Sequence, residues 1–217
     1  PHERGAMTNG EDLRVRRKPV QARARATFEA ILQAASELLI AEGFARMTTN
    51  RVAEQAGVSV GTLYQYFPNK EALLLALVDQ HTEAMMLLLV ERLSGLAQAS
   101  VEEATREMVR AWLEAHAVNP ELHRVVMEQF SLDFVMDRTH QVKARSRLVV
   151  RHYLELHREV LALDDLDMAS FMVTTMVDAV THTMVLEQPE RLRSGDGLDR
   201  VVEHVCRMVL RYLLKEP

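Results

Sequence analysis

Two pairs of side chains have a spacing suited to metal chemistry. Asp178 and His182 stand four residues apart, and His152 and Glu155 three apart, so on a helix each pair would offer two ligand groups from one face. Two ligands do not complete a site, and a surface or interface hydrogen bond is the more economical use of such a pair. No metal or other cofactor is therefore expected. The chain has no Gly-rich phosphate loop and no nucleophile elbow, and Cys206 is its only cysteine, which excludes an internal disulfide and a thiolate cluster. Catalysis is not expected. A helical metal-dependent enzyme built on Asp178 and His182 stands as the competing reading from another class.

The chemistry with more support is recognition of a polyanion by residues 48–70. Over Thr48–Phe67 the spacing fits two short helices that cross steeply. Ala53 is small enough for close approach, Gly57 suits the positive φ of a tight turn, and Val52, Val58, Leu63 and Phe67 form an inward wedge. Ser59 caps the second helix, which leaves Val60, Gly61, Thr62, Tyr64, Gln65 and Tyr66 at its ends and outer face. That face carries no acid, which suits a helix laid in the major groove, where a carboxylate would be repelled by the phosphates. Gln65 can read a base edge, Thr62 and the tyrosine hydroxyls can donate to phosphate, and a tyrosine ring can pack on a thymine methyl. Lys70 adds a cation beside the Asn69 cap, where backbone N–H groups already favour an anion.

These residues need a scaffold, and the rest of the chain reads as helical throughout. Apolar residues recur at spacings of three and four from Phe28 almost to the C-terminus, and alternating β-branched runs are scarce. The first helix carries Phe28, Ile31, Leu32, Ala35, Leu38 and Leu39 on one stripe and stops at Gly43. Asn69 opens a long helix with Leu73, Leu74, Leu77, Val78, Met85, Leu88 and Leu89 on one face. Ser100 with Glu103, Asn119 with Pro120, Asp165, and the Gly195/Gly197 break divide the remainder of the chain. The expected architecture is all-α, with a three-helix head and a body of about six helices. Its divisions are 1–20 (a cloning scar over Pro1–Ala6 and a flexible basic arm), 21–70 (the head) and 71–217 (a regulatory and dimerisation body).

Charge divides the chain in the same way. The formal net charge is -5, but residues 14–70 hold nine Lys or Arg against four Asp or Glu, and residues 71–217 hold sixteen against twenty-four. A basic head on an acidic body points to a polyanion partner for the head alone. No apolar run reaches the roughly 18 uninterrupted residues of a membrane helix, so no membrane partner is expected and a cytoplasmic location is the simple reading.

The 48–70 stretch resembles the TetR family of bacterial transcriptional regulators. The resemblance rests on Thr48-Thr49, Val52-Ala53, Ala56-Gly57-Val58-Ser59, Gly61-Thr62-Leu63-Tyr64, Tyr66-Phe67 and Lys70, within a match of roughly residues 25 to 75. It implies phosphate contacts from Thr48 or Thr49, Ser59, Gly61, Thr62, Tyr64, Tyr66 and Lys70. It also implies base contacts from Gln65 with Thr62 and Tyr64. Val60 departs from the polar or basic residue that many members carry there. The family reading adds a homodimer on a near-palindromic double-stranded operator, repression, and release by a small-molecule effector whose binding pivots the linking helix. A member without a small molecule, controlled by a protein partner, is the alternative.

A single head reads few base pairs, so the body must dimerise. Two helical stripes are candidates, Phe171, Thr175 and Ala179 on one helix and Leu198, Val202, Val205, Val209 and Tyr212 on the last. Residue by residue, a place in the chain's own core is about as good a reading, and the family's four-helix interface favours the dimer. Methionine-rich and aromatic positions in the body, Trp112, His116, Phe130, Phe134, Met136, Met172 and Met176, are the expected walls of a pocket for a moderately large apolar molecule.

Overall fold

A computed structural model describes residues 13, 15, 16, 21–93, 95–128, 133–193 and 195–215. Among them the chain forms ten α-helices. In order these are α1 (Ala22–Glu42), α2 (Thr49–Gln55), α3 (Val60–Tyr66), α4 (Lys70–Leu93), α5 (Val101–His116), α6 (Pro120–Glu128), α7 (Asp133–Leu156), α8 (Leu166–Leu186), α9 (Pro189–Arg193) and α10 (Gly197–Leu213). The five-residue α9 raises the body above the expected helix count. Extended pairing among the described residues is limited to one antiparallel bridge, Leu161 with Leu214.

The helix starts fall at the capping residues. Thr48, Ser59, Ser100 and Asp165 each accept a hydrogen bond from the backbone N–H three residues on, which satisfies one of the orphan donors of α2, α3, α5 and α8. Asn69 does the same for Ala72 N–H at 2.8 Å, and Asn119 for Leu122 N–H at 3.0 Å.

Two compact units can be drawn, residues 1–80 with 125–135, and residues 81–124 with 136–217. The expected boundary near residue 70 falls at the first residue of α4, and the first unit continues along that helix to Gln80.

In the first unit α1 buries Ile31, Leu32, Ala34, Ala35, Leu38 and Leu39. Phe28, on the same helix, stacks on Phe67 at 5.1 Å between ring centroids and meets Tyr66 edge-on at 5.8 Å. The wedge forms with Val52, Leu63 and Phe67 each fully buried and Val58 half-buried. Arg51 forks onto the Glu42 carboxylate, joining α2 to the end of α1 and holding that carboxyl below the usual range.

The second unit is built on α5, α8 and α10. Val109, Trp112 and Leu113 of α5 share one apolar core with Val173 and Val177 of α8 and with Val202, Val205 and Val209 of α10. Arg110 of α5 donates to Asp199 of α10 at 2.5 Å at the edge of this core.

By length and composition, α4 and α8 pass as helices able to cross a membrane. Much of the apolar surface of α4 is used inside the protein, where Leu73, Leu74, Leu77, Val78, Met85 and Leu89 are buried. Charges interrupt both helices, Glu71, Asp79 and Glu83 in α4 and Asp167 and Asp178 in α8.

Gly57 gives the turn between α2 and α3 a direct test. Its φ is +65°, and a Cβ added there would meet nothing within 4 Å, so substitution is penalised by the backbone alone. Gly57→Ala is expected to lower unfolding free energy by about 1–2 kcal/mol, the left-handed penalty for an L-residue. Gly57→Asn should recover part of it. Urea denaturation of the two variants measures both.

Candidate functional site

α3 is held from behind and open in front. Leu63 and Phe67 are fully buried, while Val60 and Tyr64 are each 39% exposed and Gly61 and Gln65 lie on the same open side. Ser59 Oγ accepts from Thr62 N–H at 3.0 Å and lies 2.8 Å from Thr62 Oγ1, so the two hydroxyls form one donor pair at the start of the helix. Thr49 Oγ1 lies 3.1 Å from the Tyr64 hydroxyl, which ties the start of α2 to the face of α3. Thr48 is exposed at the N-cap of α2.

Tyr66 corrects the sequence reading. It is only 7% exposed, and its ring lies against Phe28, so it belongs to the wall supporting α3 rather than to the outer face. Lys70 is half-buried, with its ammonium 4.4 Å from the centroid of the Phe44 ring and donating to the Phe44 carbonyl at 3.3 Å. Its position is thereby fixed by a cation–π contact and a hydrogen bond.

Arg16 has a role that sequence reading did not assign. Its backbone N–H donates to the Tyr66 carbonyl at 2.8 Å and its guanidinium to the Tyr64 carbonyl at 3.2 Å, so it satisfies carbonyls at the last turn of α3. Arg14, Arg17 and Lys18 of the expected arm lie outside the described residues.

Two of the cavities in the second unit bear on the expected pocket. One, of about 240 Å³, is apolar and lined by side chains that include Met108 of α5, Val149, Val150, Tyr153 and Leu154 of α7, and Val173 of α8. The other, of about 260 Å³, is of mixed character, with Lys143, Arg147, Thr174 and Asp178 beside the rings of Trp112 and Phe171.

None of the expected pocket residues whose side chains are described lines the apolar cavity. Trp112 lines the mixed one, Met172 is 46% exposed on α8, Met176 packs on the core, and Met136 is half-buried. Phe130 lies outside the described residues, as does the side chain of Phe134. The signal that was passed over is the Val149, Val150, Tyr153, Leu154 run on α7, which sequence alone presents as ordinary core.

His116, the remaining expected pocket residue, sits instead in a cluster of imidazoles. His81 of α4, His116 of α5 and His123 of α6 are 5%, 2% and 4% exposed, and His182 of α8 is half-buried beside them. Ring centroids of His116 and His123 lie 4.9 Å apart, as do those of His123 and His182. Burial disfavours the charged imidazoles. It pulls His81 down to about 4 and His123 to about 2, helped in each by neighbouring histidines, and it also lowers His116 and His182. Asp178 stands 3.7 Å from His116 Nε2, while its other oxygen accepts from Lys143 at 2.8 Å. Of the two metal-spaced pairs, Asp178 and His182 therefore lie in a larger group. Glu155 of the other is engaged by Arg151 and Arg158, and His152 lines the apolar cavity.

A family model described as bacterial regulatory proteins of the tetR family matches residues 31–77. A second, described as the tetracyclin repressor-like C-terminal domain, matches residues 100–213, more than half the chain. The chain belongs to the TetR family.

Its curated relatives include the HTH-type transcriptional regulator YvkB of Bacillus subtilis, 43% identical over 58 residues, covering 27% of this chain and 31% of YvkB. The nucleoid occlusion factor SlmA of Vibrio atlanticus is 32% identical over 134 residues, covering 58% of this chain and 65% of SlmA. The chain thus matches less than two thirds of the length of either relative. Among solved structures, that of the SmeT–triclosan complex superposes with a TM-score of 0.66 at 20% identity, covering 88% of this chain and 93% of that one. The TetR fold, a helix-turn-helix domain followed by a helical C-terminal domain, accounts for both compact units, and the family is one of transcriptional regulators rather than enzymes.

Within this TetR fold the dimer stripe expected on α10 is misplaced. Val202, Val205 and Val209 are 0%, 1% and 0% exposed inside the chain's own core, and Leu198 and Tyr212 pack against that core. The open side of α10 is displaced by about one residue and carries His204 and Met208, with Val201 half-buried at its margin. On α8, Phe171, Thr175 and Ala179 do lie on an exposed face, with Met168 and Met172 beside them.

This division predicts unequal costs on α10. Val205→Ala should destabilise the fold by about 2 kcal/mol through loss of buried methyls and the cavity left behind. Met208→Ala should change the stability of the dilute monomer by less than about 0.5 kcal/mol, as surface substitutions do. Denaturation at low protein concentration checks the ordering, and equal costs would remove the assignment of faces.

Proposed function

We propose that this TetR-family chain is a dimeric transcriptional repressor. In this reading it places α3 of each protomer in the major groove of a near-palindromic operator and is released by a small apolar effector, in the cytoplasm. The open face of α3 carries the reading. It is free of acids, presents Thr62, Tyr64 and Gln65 around Gly61, and is braced by buried Leu63 and Phe67. Ser59, Thr62, Thr48 and Thr49 offer hydroxyls for phosphate, Lys70 offers a positioned cation, and Gln65 and Tyr64 are the side chains for base edges.

Dimerisation is supported by the exposed Phe171, Met172, Thr175, Ala179 stripe of α8 and by a groove among α8, α9 and α10 where Val180, Met184, Val201 and Met208 lie beside Arg191 and Arg200. Two such heads would read half-sites about 34–36 Å apart, one turn of duplex, or a multiple of it. The apolar cavity framed by α5, α7 and α8 supports an apolar effector, and SmeT, of the same fold, is described in complex with triclosan. The second reading is a DNA-binding protein with no small-molecule effector, answering to a protein partner; one relative of this chain is named a nucleoid occlusion factor.

Selection of bound sequences from a random duplex pool tests the proposal, with Tyr64→Ala/Gln65→Ala as control. Enrichment of one palindrome by the wild type alone is expected, and no enrichment by folded, dimeric protein would overturn the DNA reading. Release of that palindrome by apolar compounds supports the effector reading, and a failure of every such compound favours the second. Lys70→Met keeps an aliphatic chain over Phe44 and removes the charge. It should weaken binding to all sequences alike and reduce the slope of log affinity against log salt by about one unit.

A further inference from the structure

The imidazole cluster holds more ligating nitrogen than its hydrogen bonds use. Donor nitrogens of His116, His123 and His182 all lie within 4.8 Å of one another. His116 Nδ1 lies 2.8 Å from the Trp112 carbonyl, which can only accept, so Nδ1 carries a hydrogen and, in the neutral ring that burial favours, Nε2 carries a lone pair. That lone pair looks toward Asp178 Oδ1 at 3.7 Å. Two electron-rich atoms so placed repel unless a proton or a metal cation lies between them; 3.7 Å is long for a hydrogen bond, and two donors on one tetrahedral zinc ion stand about 3.3 Å apart, given Zn–N bonds of 2.0–2.1 Å.

His123 makes the stronger case. Its Nδ1 is 2.9 Å from His81 Nε2, whereas its own Nε2 is buried with no hydrogen-bond partner among the described residues. A stranded N–H is the rarer kind of orphan, so the economical arrangement has Nδ1 donating to His81 and Nε2 presenting a bare lone pair. This is the disposition of a metal-ligating histidine, with one nitrogen fixed by a second partner and the other free for the ion. The Trp112 carbonyl orients His116 in the same way.

We propose that His116, His123 and His182 form a binding site for a borderline transition-metal dication, Zn²⁺ the best fit, with Asp178 beside the fourth position. Three neutral imidazoles suit zinc better than magnesium or calcium, which take oxygen donors. Three protein ligands with a fourth position for water or carboxylate is an established zinc coordination. Lys143 holds the second oxygen of Asp178 and leaves Oδ1 facing the site. Coordination would require the donor nitrogens, now within 4.8 Å of one another, to close to about 3.3 Å. The site goes beyond the DNA-binding reading and does not depend on it.

The test uses the full chain, free of affinity tags, stripped with chelator and titrated with Co²⁺ as a spectroscopic probe, then with Zn²⁺ as competitor. One Co²⁺ per chain is expected, with the intense visible band of a low-coordinate ion, lost when Zn²⁺ displaces it. His182→Gln, at the least buried ligand, should abolish the band with helical circular dichroism unchanged. His81→Gln, which removes a positioning contact, should weaken Co²⁺ binding about 10- to 100-fold. His204→Gln, on the exposed side of α10, should leave the titration unaltered. A Co²⁺ spectrum like that of the hydrated ion, or a band that survives His182→Gln, would overturn the site. No DNA enters the assay, so its failure and a failure of operator binding are read separately.

Discussion

The stack of Phe28 on Phe67, with Tyr66 edge-on beside it, is the contact on which the use of α3 depends. A seven-residue helix is too short to be stable alone, and its own hydrogen bonds cannot hold it at a fixed angle. Phe67, fully buried at its C-terminal end, ties it to α1, and Leu63 presses the same side inward. Aromatic pairs in such geometries contribute about 0.5–1.5 kcal/mol beyond the area they bury. With that side committed, the helix has one face left, and it is the face without acids. Ser59 and Thr62 define its start, and Arg16 closes its last turn by donating to the Tyr64 and Tyr66 carbonyls.

Much of the first unit was legible because its signals are local. A cap acts three residues away, and a positive φ is needed at one glycine, so Thr48, Gly57, Ser59 and Asn69 can be placed from their neighbours alone. The burial of Tyr66 was not legible in the same way. It depends on Phe28, nearly forty residues away, and the pattern of α3 by itself leaves either tyrosine free to face outward. The chain-level charge division had the same local character, since it required only counting.

The second unit shows where periodicity stops informing. Helical spacing says that Val202, Val205 and Val209 share a face, but not whether the same chain or another copy covers it. Here α5 and α8 cover it, and the open face carrying His204 and Met208 is reached by about one residue of rotation. The apolar cavity was missed for a related reason. Valine and leucine on α7 read as core, and only the placement of α5 and α8 reveals that space is left between them.

The histidines were invisible for the strictest reason, because no spacing joins α4, α5, α6 and α8. Asp178 and His182 looked like an ordinary pair on one helix until His116 and His123 arrived from two others. Their burial also has a thermodynamic consequence. Imidazoles held well below their ordinary range bind fewer protons folded than unfolded, so stability contributed by this region is lost as pH falls through the range where free imidazole protonates. Four apolar side chains in these positions would carry no such liability and would need no partners. Imidazoles do need them, and two of the nitrogens are satisfied by each other and one by a backbone carbonyl. The nitrogen left over on His123 is buried without a partner among the described residues, and the His116 ring, with its own lone pair, lies 4.9 Å away between centroids. A dication at their meeting point would satisfy both at once, whereas with the N–H groups of His116 and His123 given to Trp112 and, in the economical tautomer, His81, the single N–H of His182 could serve only one of them.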